Sequence, residues 1–413
     1  MLKTKLIQLI SHPIQYQVPL YERLSADAQF DFEVWYCSKT GVETQAVDVE
    51  FGVAVKWDIP LLSDYKYRFF KNYAPHESLD SFMGLCNFGV VRALFAVPPK
   101  SIIWIHGWSS LTSVLAVFFG KLLGHRIFLR GDNTAVIEEK KPNTWAKRMK
   151  TFFLSRVLFK LTDSFLAVGN QNKDYYGLMG VPDNKIVFAP HSIDNQRFIK
   201  FREQYQNDIP SIRQELGIPL SKKALICSGK YIDKKRPLDL LKALTLLPNR
   251  ADVFVVFVGE GNLRSDMQQF IVDNDLQQNV LLTGFINQSL MPKYYLAADL
   301  YVMCSGMYET WGLSTNEAMC FGLPVILSNM VGCAYDLVKG NGFTYNSGDY
   351  KALSNYIHLI FSLSPLDFQK KREQSIAIIN EYSYENIIAG IKIAAQQSEP
   401  VHSRNNKFER LFF

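Results

Sequence analysis

The 413-residue chain has no CxxC pair, no apolar run long enough to cross a bilayer, no short-period repeat and no low-complexity tract. Its six cysteines (37, 86, 227, 304, 320 and 333) lie far apart, several in apolar stretches, which speaks against a disulfide framework and predicts reduced core thiols in a cytoplasmic protein. The longest uncharged apolar run of the N-terminal half, Leu111 to Gly120, is closed by Lys121. It reaches roughly half of the ~20 residues a spanning helix needs. The opening "MLKTKLIQLISHP" puts His12 and Pro13 where a secretory signal would show small residues, so it reads as a first buried strand. None of the seven histidines stands at helical ligand spacing from another. Gly259-x-Gly261 lacks the third glycine of a dinucleotide fingerprint, Arg264 standing in its place, and reads as a tight turn. Asp273-x-Asp275 has the spacing of a metal-dependent transferase motif but falls in a polar turn, so no metal is expected.

What is present is the composition of a soluble globular protein, 48% hydrophobic and 20% charged. A chain of this length divides into more than one core, and two domains are expected. The net charge of +6 is uneven: residues 1–200 hold 24 bases against 18 acids, leaving 21 against 21 for the remainder. The excess concentrates in residues 121–160, where ten bases face three acids.

Short β-branched and aromatic runs alternate with amphipathic stretches, which predicts βα units, parallel sheets and an α/β fold. Candidate strands are Leu6–Ile10, Phe32–Tyr36, Ile102–His106, Arg126–Arg130, Ser164–Val168 and Lys185–Phe188 in the first half. In the second they are Ala224–Ser228, Val253–Val258, Val280–Thr283, Leu300–Met303 and Pro324–Leu327. Each set suffices for one doubly wound domain. The predicted division is a first domain over 1–195, a polar linker over 196–218, a second domain over 219–375, and a C-terminal helix with its tail over 376–413 that returns to the first domain. Two such domains enclose a cleft between the carboxyl ends of their strands, where ligands of these sheets bind.

The stretch "YETWGLSTNEAMCFGLPVILS", 308–328, carries Glu309 and Glu317 in a segment otherwise suited to burial. Glu309 falls in the loop after a strand, and Glu317 in the early turns of a helix starting at about Leu313. That helix start offers unpaired amides and partial positive charge to a phosphate, and the carboxylates suit sugar hydroxyls on either side of a diphosphate. The plainer alternative is that Ser314 and Glu317 form a capping box and Glu309 is a solvated loop residue.

Five segments in order over about 125 residues resemble the donor-binding domain of the family 4 glycosyltransferases, which are retaining enzymes of the GT-B fold: "CSGKYIDKKRPLDLLKAL", "VFVGEGNLRSDM", "LLTGFINQSLMPKYYLAADLYV", "ETWGLSTNEAMCFGLPVI" and "GNGFTYNSGD". "APHSIDNQRF", 189–198, is similar to the segment preceding that domain, with His191 and Ser192 replacing its usual Asn-Gly. The resemblance implies two Rossmann-like domains facing a central cleft, and a nucleotide sugar as co-substrate without a further cofactor. It implies that Lys230 and Lys235 meet the charge growing on the leaving phosphate, with Lys234 and Arg236 as alternatives or added donor contacts. Glu309 would hold the sugar, Glu317 the ribose hydroxyls, and Gly312, Leu313 and Ser314 would offer amides to the diphosphate. Phe285 would lie at the nucleobase, or else is an ordinary core aromatic.

The first half matches less closely. Its first loop, "SHPIQYQVPLYERL", has His12, Gln15 and Tyr16 where the family usually has a glycine pair, which places side chains at the diphosphate or the acceptor. "IIWIHGWSS" brings His106 to a strand end, and "RIFLRGDNT" has Arg130 and Asp132 where a histidine near the sugar is usual. "WAKRMKTFFLSRVLFKLTDSF" combines Lys147, Arg148, Lys150, Arg156 and Lys160 with Trp145, Phe152, Phe153, Leu158 and Phe159, the make-up of an interfacial helix on anionic lipid or of a partly buried helix with a basic face. "YKYRFFKNY", 65–73, has the same character. No nucleic-acid-binding module is present. The expected function is metal-independent, retaining sugar transfer to a glycan or lipid-linked glycan, in cell-surface polysaccharide or glycoconjugate synthesis, on the cytoplasmic face of a membrane. A nucleotide-sugar 2-epimerase or hydrolase of the same fold, or a non-catalytic glycan- or nucleotide-binding module, are the alternatives.

Overall fold

A computed structural model describes residues 3–42, 47–48, 53–54, 58–307 and 309–397. The strands in chain order are β1 (Thr4–Ile10), β2 (Phe30–Tyr36), β3 (Val47–Asp48), β4 (Val53–Ala54), β5 (Tyr67–Phe69), β6 (Ile102–His106), β7 (Arg126–Arg130), β8 (Ser164–Ala167) and β9 (Ile186–Phe188). They continue as β10 (Lys223–Ser228), β11 (Val253–Val258), β12 (Val280–Leu282), β13 (Leu300–Met303), β14 (Val325–Ser328) and β15 (Gly342–Tyr345). One seven-stranded sheet runs β5-β2-β1-β6-β7-β8-β9, and one six-stranded sheet runs β12-β11-β10-β13-β14-β15. All neighbours in both are parallel, and among the described residues the short pair β3–β4, which forms a separate sheet, is antiparallel, as is the isolated bridge Gly259–Gly284.

Parallel strands covered on both faces read as continuous apolar runs, which is why Ile102–Ile105 and Val253–Val258 are buried along their whole length. Every strand expected from the sequence forms, with ends shifted by a residue or two. Missing from that expectation are the two-residue strands β3 and β4 and, in the two large sheets, β5 and β15, both at sheet edges. β5 has two exposed residues in its three, and β15 includes Gly342, where a Cβ would stand 1.8 Å from the Val325 carbonyl oxygen. Neither edge has the two-sided burial that marks the central strands.

In each sheet the chain winds outward from a central strand and then crosses to its other side. The switch lies between β1 and β6 in the first sheet and between β10 and β13 in the second. Loops after these four strands diverge, leaving a crevice at their carboxyl ends. Gly259-x-Gly261 belongs to this geometry. A Cβ at Gly259, whose φ is +154°, would stand 1.9 Å from the Gly229 carbonyl oxygen, so the glycine lets the loops after β10 and β11 touch.

Residues 196–218 are not an extended linker. They form helices Asn195–Tyr205 and Ile209–Glu215, and Phe198, Ile212 and Ile218 pack into the second domain's core. Near the C-terminus, helix Pro365–Asn380 packs on the second domain through Ile379, and helix Tyr384–Gln397 covers the first sheet through Ile387, Ile391 and Ala394. The tail, 398–413, lies outside the described residues. The basic stretch from Trp145 also divides. Helix Trp145–Phe153 has no buried residue, whereas Leu158 and Phe159, read from the sequence as interfacial, are 0% and 4% exposed and belong to the first domain's core.

Candidate active site

The second domain supplies one wall of the cleft from the loops after β10 and β13. A turn at Asp233–Lys235 aims the Lys235 ammonium at the Glu309 carboxylate, which also accepts from Ser305 Oγ at 3.0 Å. Glu309 is 8% exposed. Burial by itself would raise its carboxyl, but Lys235, with Lys234 and Ser305, holds it below its usual range. A buried carboxylate in this state needs its cation, so the two form one unit. After Glu309 the chain reaches Gly312, whose φ of +97° and lack of a side chain leave helix Leu313–Cys320 without a side-chain cap. Leu313 and Ser314 therefore present the uncapped helix start to the cleft.

Glu317 is one turn deeper. It accepts from the Tyr295 hydroxyl at 2.7 Å and from Gln288 Nε2 at 3.5 Å, while Tyr295 shares a 2.9 Å bond with Ser228 and Arg197 donates to Gln288 at 3.0 Å. Burial raises the Glu317 carboxyl, against the Tyr295 hydroxyl and Arg197. The capping-box reading fails here: Gly312 is the cap residue, and the Ser314 hydroxyl bonds Tyr301 at 2.7 Å.

The first domain supplies the opposite wall. Gln15 and Tyr16 form a 3₁₀ turn after β1, and burial with the nearby Asp132 pushes the Tyr16 phenol up to about 12. His106 ends β6 beside Arg130 at the end of β7. Burial, then the Arg130 guanidinium, brings the His106 imidazole down to about 4, and burial also lowers His12. Arg130 is 1% exposed and donates to the Pro190 carbonyl at 2.9 Å. Burial lowers even this guanidinium, to about 10. Asp132 stays exposed and accepts from Thr310 Oγ1 at 2.8 Å across the domain boundary.

A cavity of about 500 Å³ lies between the walls, within the size range of small-molecule sites. Of the residues singled out in the sequence it is lined by Gln15, Tyr16, Lys235, Phe285, Leu313, Ser314 and Glu317. Lys230 lines a smaller adjoining pocket together with Lys235. Arg236 is turned away from the cavity: with φ +49°, its guanidinium is held by Asp239 at 2.6 Å and lies against Gly348. The sequence reading missed Tyr295, Gln288, Arg197 and Tyr384, which also line the cavity. Nothing local distinguishes them, since Tyr384 lies 368 residues from Tyr16, whose carbonyl its hydroxyl meets at 2.5 Å. Among the described residues no group of three His, Cys, Asp or Glu side chains is placed to hold a metal ion, and no helix is long and apolar enough to cross a membrane.

Residues 208–378 match the family model "Glycosyl transferases group 1". The lipopolysaccharide core biosynthesis mannosyltransferase LpsB of Rhizobium meliloti is 27% identical over 209 residues, 48% of this chain and 55% of that protein. The UDP-Gal:alpha-D-GlcNAc-diphosphoundecaprenol alpha-1,3-galactosyltransferase of Escherichia coli is 25% identical over 302 residues, 70% of this chain and 73% of that one. The chain spans 40% and 55% of the lengths of the first two curated relatives it matches. Among solved structures, Anabaena Alr3699/HepE in complex with UDP and glucose superposes with a TM-score of 0.67 at 15% identity, covering 96% of this chain and 99% of that one. That likeness is one of fold, the GT-B arrangement of two Rossmann-like domains.

Proposed function

We propose, because residues 208–378 belong to the group 1 glycosyl transferases, that this protein is a retaining glycosyltransferase moving a sugar from a nucleotide-sugar donor to a hydroxyl of a glycan or lipid-linked glycan. The observation that carries the reading is the convergence of Lys235, the uncapped helix start at Leu313 and the buried Glu317 on one wall of one cavity, with Glu309 behind Lys235 as its ion-pair partner. A leaving nucleoside diphosphate needs positive charge where its oxygen develops negative charge, and Lys235 with the helix amides meets that need. Lys230, in the adjoining pocket, is placed to add to it. Glu317, held by Tyr295, suits the ribose hydroxyls, and Glu309 the sugar. Phe285, beside Ile286 on the same cavity, suits the base.

In the proposed step the bond from the anomeric carbon to the diphosphate oxygen breaks with its electron pair going to that oxygen. The acceptor oxygen bonds to the same face of the carbon, and its proton passes to the departing phosphate. His106, held neutral, can bind a sugar hydroxyl as donor or acceptor without adding charge. His12, Gln15, Tyr16 and Arg130 belong to the acceptor side in this reading.

The lipid-linked form of the acceptor is supported by one face of the first domain. Helices Phe88–Phe95, Leu111–Leu122 and Trp145–Phe153 hold bases and no acid, and they expose Phe95, Leu122 and Trp145 by 64%, 77% and 77%. Such a face suits peripheral docking on anionic lipid at the cytoplasmic side of a membrane. Replacing Lys147, Arg148 and Lys150 by Gln is expected to weaken binding to phosphatidylglycerol vesicles with nucleotide affinity unchanged, and equal vesicle binding would remove the membrane contact.

The direct test of the function is thermal unfolding with a panel of nucleoside diphosphates and nucleotide sugars, followed by product analysis with and without acceptor. A ligand at about 100 times its Kd adds about 2.7 kcal/mol to stability. No shift with any nucleotide refutes the donor site, and sugar release independent of acceptor would indicate a hydrolase.

A further inference from the structure

Three consecutive side chains of the loop after β13 point to three different places. Glu309 faces Lys235 in the donor wall. Thr310 donates across the domain boundary to Asp132, which follows β7 in the first domain, at 2.8 Å. Trp311 packs on Gly169 of the first domain, where an added Cβ would stand 2.4 Å from the indole, and its ring lies 5.3 Å from His191.

The Trp311 contact is fastened from both sides. Its indole N–H donates to Asn316 Oδ1 at 2.9 Å, and Asn316 donates to the His191 carbonyl at 3.2 Å. Helix Asn170–Leu178 has glycine at its cap position and takes its acceptor from the other domain: the Asn170 amide donates to Asp336 at 3.0 Å. Trp311, Asn316 and His191 on this side of the boundary are buried. Thr310–Asp132 is exposed, and an exposed neutral-to-charged hydrogen bond is weak enough to open and close with the domains.

We propose that Asp132 is a positioning residue, acting through Thr310 to fix the backbone that carries Glu309 when the domains close. The inference rests on the transferase reading. Within the donor wall the Glu309 carboxylate accepts from Lys235 and Ser305 and its carbonyl from the Gly332 amide at 2.9 Å, while Lys235 must also meet the leaving phosphate and the Thr310 side chain turns to the first domain. A contact from the first domain to the adjacent residue supplies an anchor that exists only when both walls are together. Closure then adds the Thr310 anchor to the contacts the second domain already makes at Glu309, which tightens the catalytic geometry when water is excluded.

The test uses the full chain with Asp132→Ala, Asp132→Asn, Thr310→Val and the Ala/Val double variant. Asp132→Ala and Thr310→Val are each expected to lower kcat about three- to tenfold, the size of one hydrogen bond, with uridine or guanosine diphosphate affinity within about twofold. Asp132→Asn keeps an acceptor oxygen for Thr310 and should restore kcat to within about twofold. The double variant should be no worse than either single one. A kcat unchanged in Thr310→Val, multiplicative effects in the double variant, or Asp132→Asn as impaired as Asp132→Ala would overturn the proposal, the last by showing that the charge itself meets substrate. A second readout needs no turnover. Spin labels at Glu139→Cys and Lys351→Cys, with uridine diphosphate present, should give a longer and broader distance distribution in Asp132→Ala and Thr310→Val than in the unsubstituted pair. An unchanged distribution refutes the latch even if no donor is ever turned over, whereas absence of turnover with normal closure refutes only the transferase reading.

Discussion

The two walls of the cleft are built on opposite principles. On the second domain each carboxylate has its partner in place: Glu309 has Lys235 and Ser305, and Glu317 has Tyr295 and Gln288. On the first domain the polar groups are buried without such closure. Among the described residues, Arg130 Nε and Nη1, His106 Nδ1 and His191 Nδ1 are buried with no protein partner. Burying a donor without an acceptor costs about 1–3 kcal/mol, more for a charged group, so these atoms are held behind the cavity at the expense of stability. In the proposed reading the wall whose carboxylates are already partnered is the donor side, and the wall with the unpartnered imidazoles and guanidinium is the acceptor side.

The largest test of this contrast is Lys235→Ala. If the donor wall is pre-formed for the transition state, kcat should fall on the order of a hundredfold or more, with donor affinity changed much less. An unchanged kcat in steady-state assays would hand the role to Lys230 or Lys234.

Next in size is Glu317→Gln, expected to weaken nucleoside diphosphate binding by roughly 1.5–3 kcal/mol in calorimetric titration. Because Glu317 caps nothing, the melting temperature should hold. A silent Gln variant would make Glu317 a core residue.

A pH series separates the walls. His106 titrates near 4 when folded and near its ordinary 6.5 when unfolded, and His191 is lowered further by burial, Arg130 and His106. Between those values the unfolded chain binds protons that the folded one refuses. Stability is therefore full above 6.5 and declines as pH falls toward 4, by about 1.4 kcal/mol per unit for each such histidine. Glu309, lowered when folded, costs stability only below its ordinary 4.5. Denaturant unfolding at pH 7 and 5 should show the decline, and His106→Gln should reduce its slope. Glu317 and Asp336, raised by burial, bind protons more readily when folded and offset part of that decline, so the comparison with His106→Gln carries the test, and equal slopes would contradict the buried neutral histidine.

The smallest effect is expected from Tyr295→Phe. It removes one donor from Glu317 but leaves Gln288, so nucleotide affinity should fall about three- to tenfold. A larger loss than that of Glu317→Gln would mean that the phenol itself contacts ligand.

Much of this molecule is local in origin. Ile102–His106, Arg126–Arg130, Val253–Val258 and Leu300–Met303 form strands with the ends their apolar runs suggest, because a strand buried on both faces leaves a continuous signature in a few residues. The edge strands β5 and β15 leave no such signature because they are largely uncovered, and the helices of 196–218 leave little because Phe198, Ile212 and Ile218 pack on elements distant in sequence. Arg236, expected at the donor, is held by Asp239 three residues on.

By itself the sequence determined the βα alternation, the two sheets, and the positions of Lys235, Glu309 and Glu317 near strand ends, since periodicity and loop placement depend on neighbours a few residues away. Only the tertiary structure decided which side chains meet. Tyr295 reaches Glu317 across 22 residues, Thr310 reaches Asp132 across 178, and Tyr384 reaches Tyr16 across 368. The physical reason is range: secondary structure is settled by torsions and local burial, whereas a hydrogen bond of about 3 Å between distant segments exists only after two sheets and the helices joining them have packed.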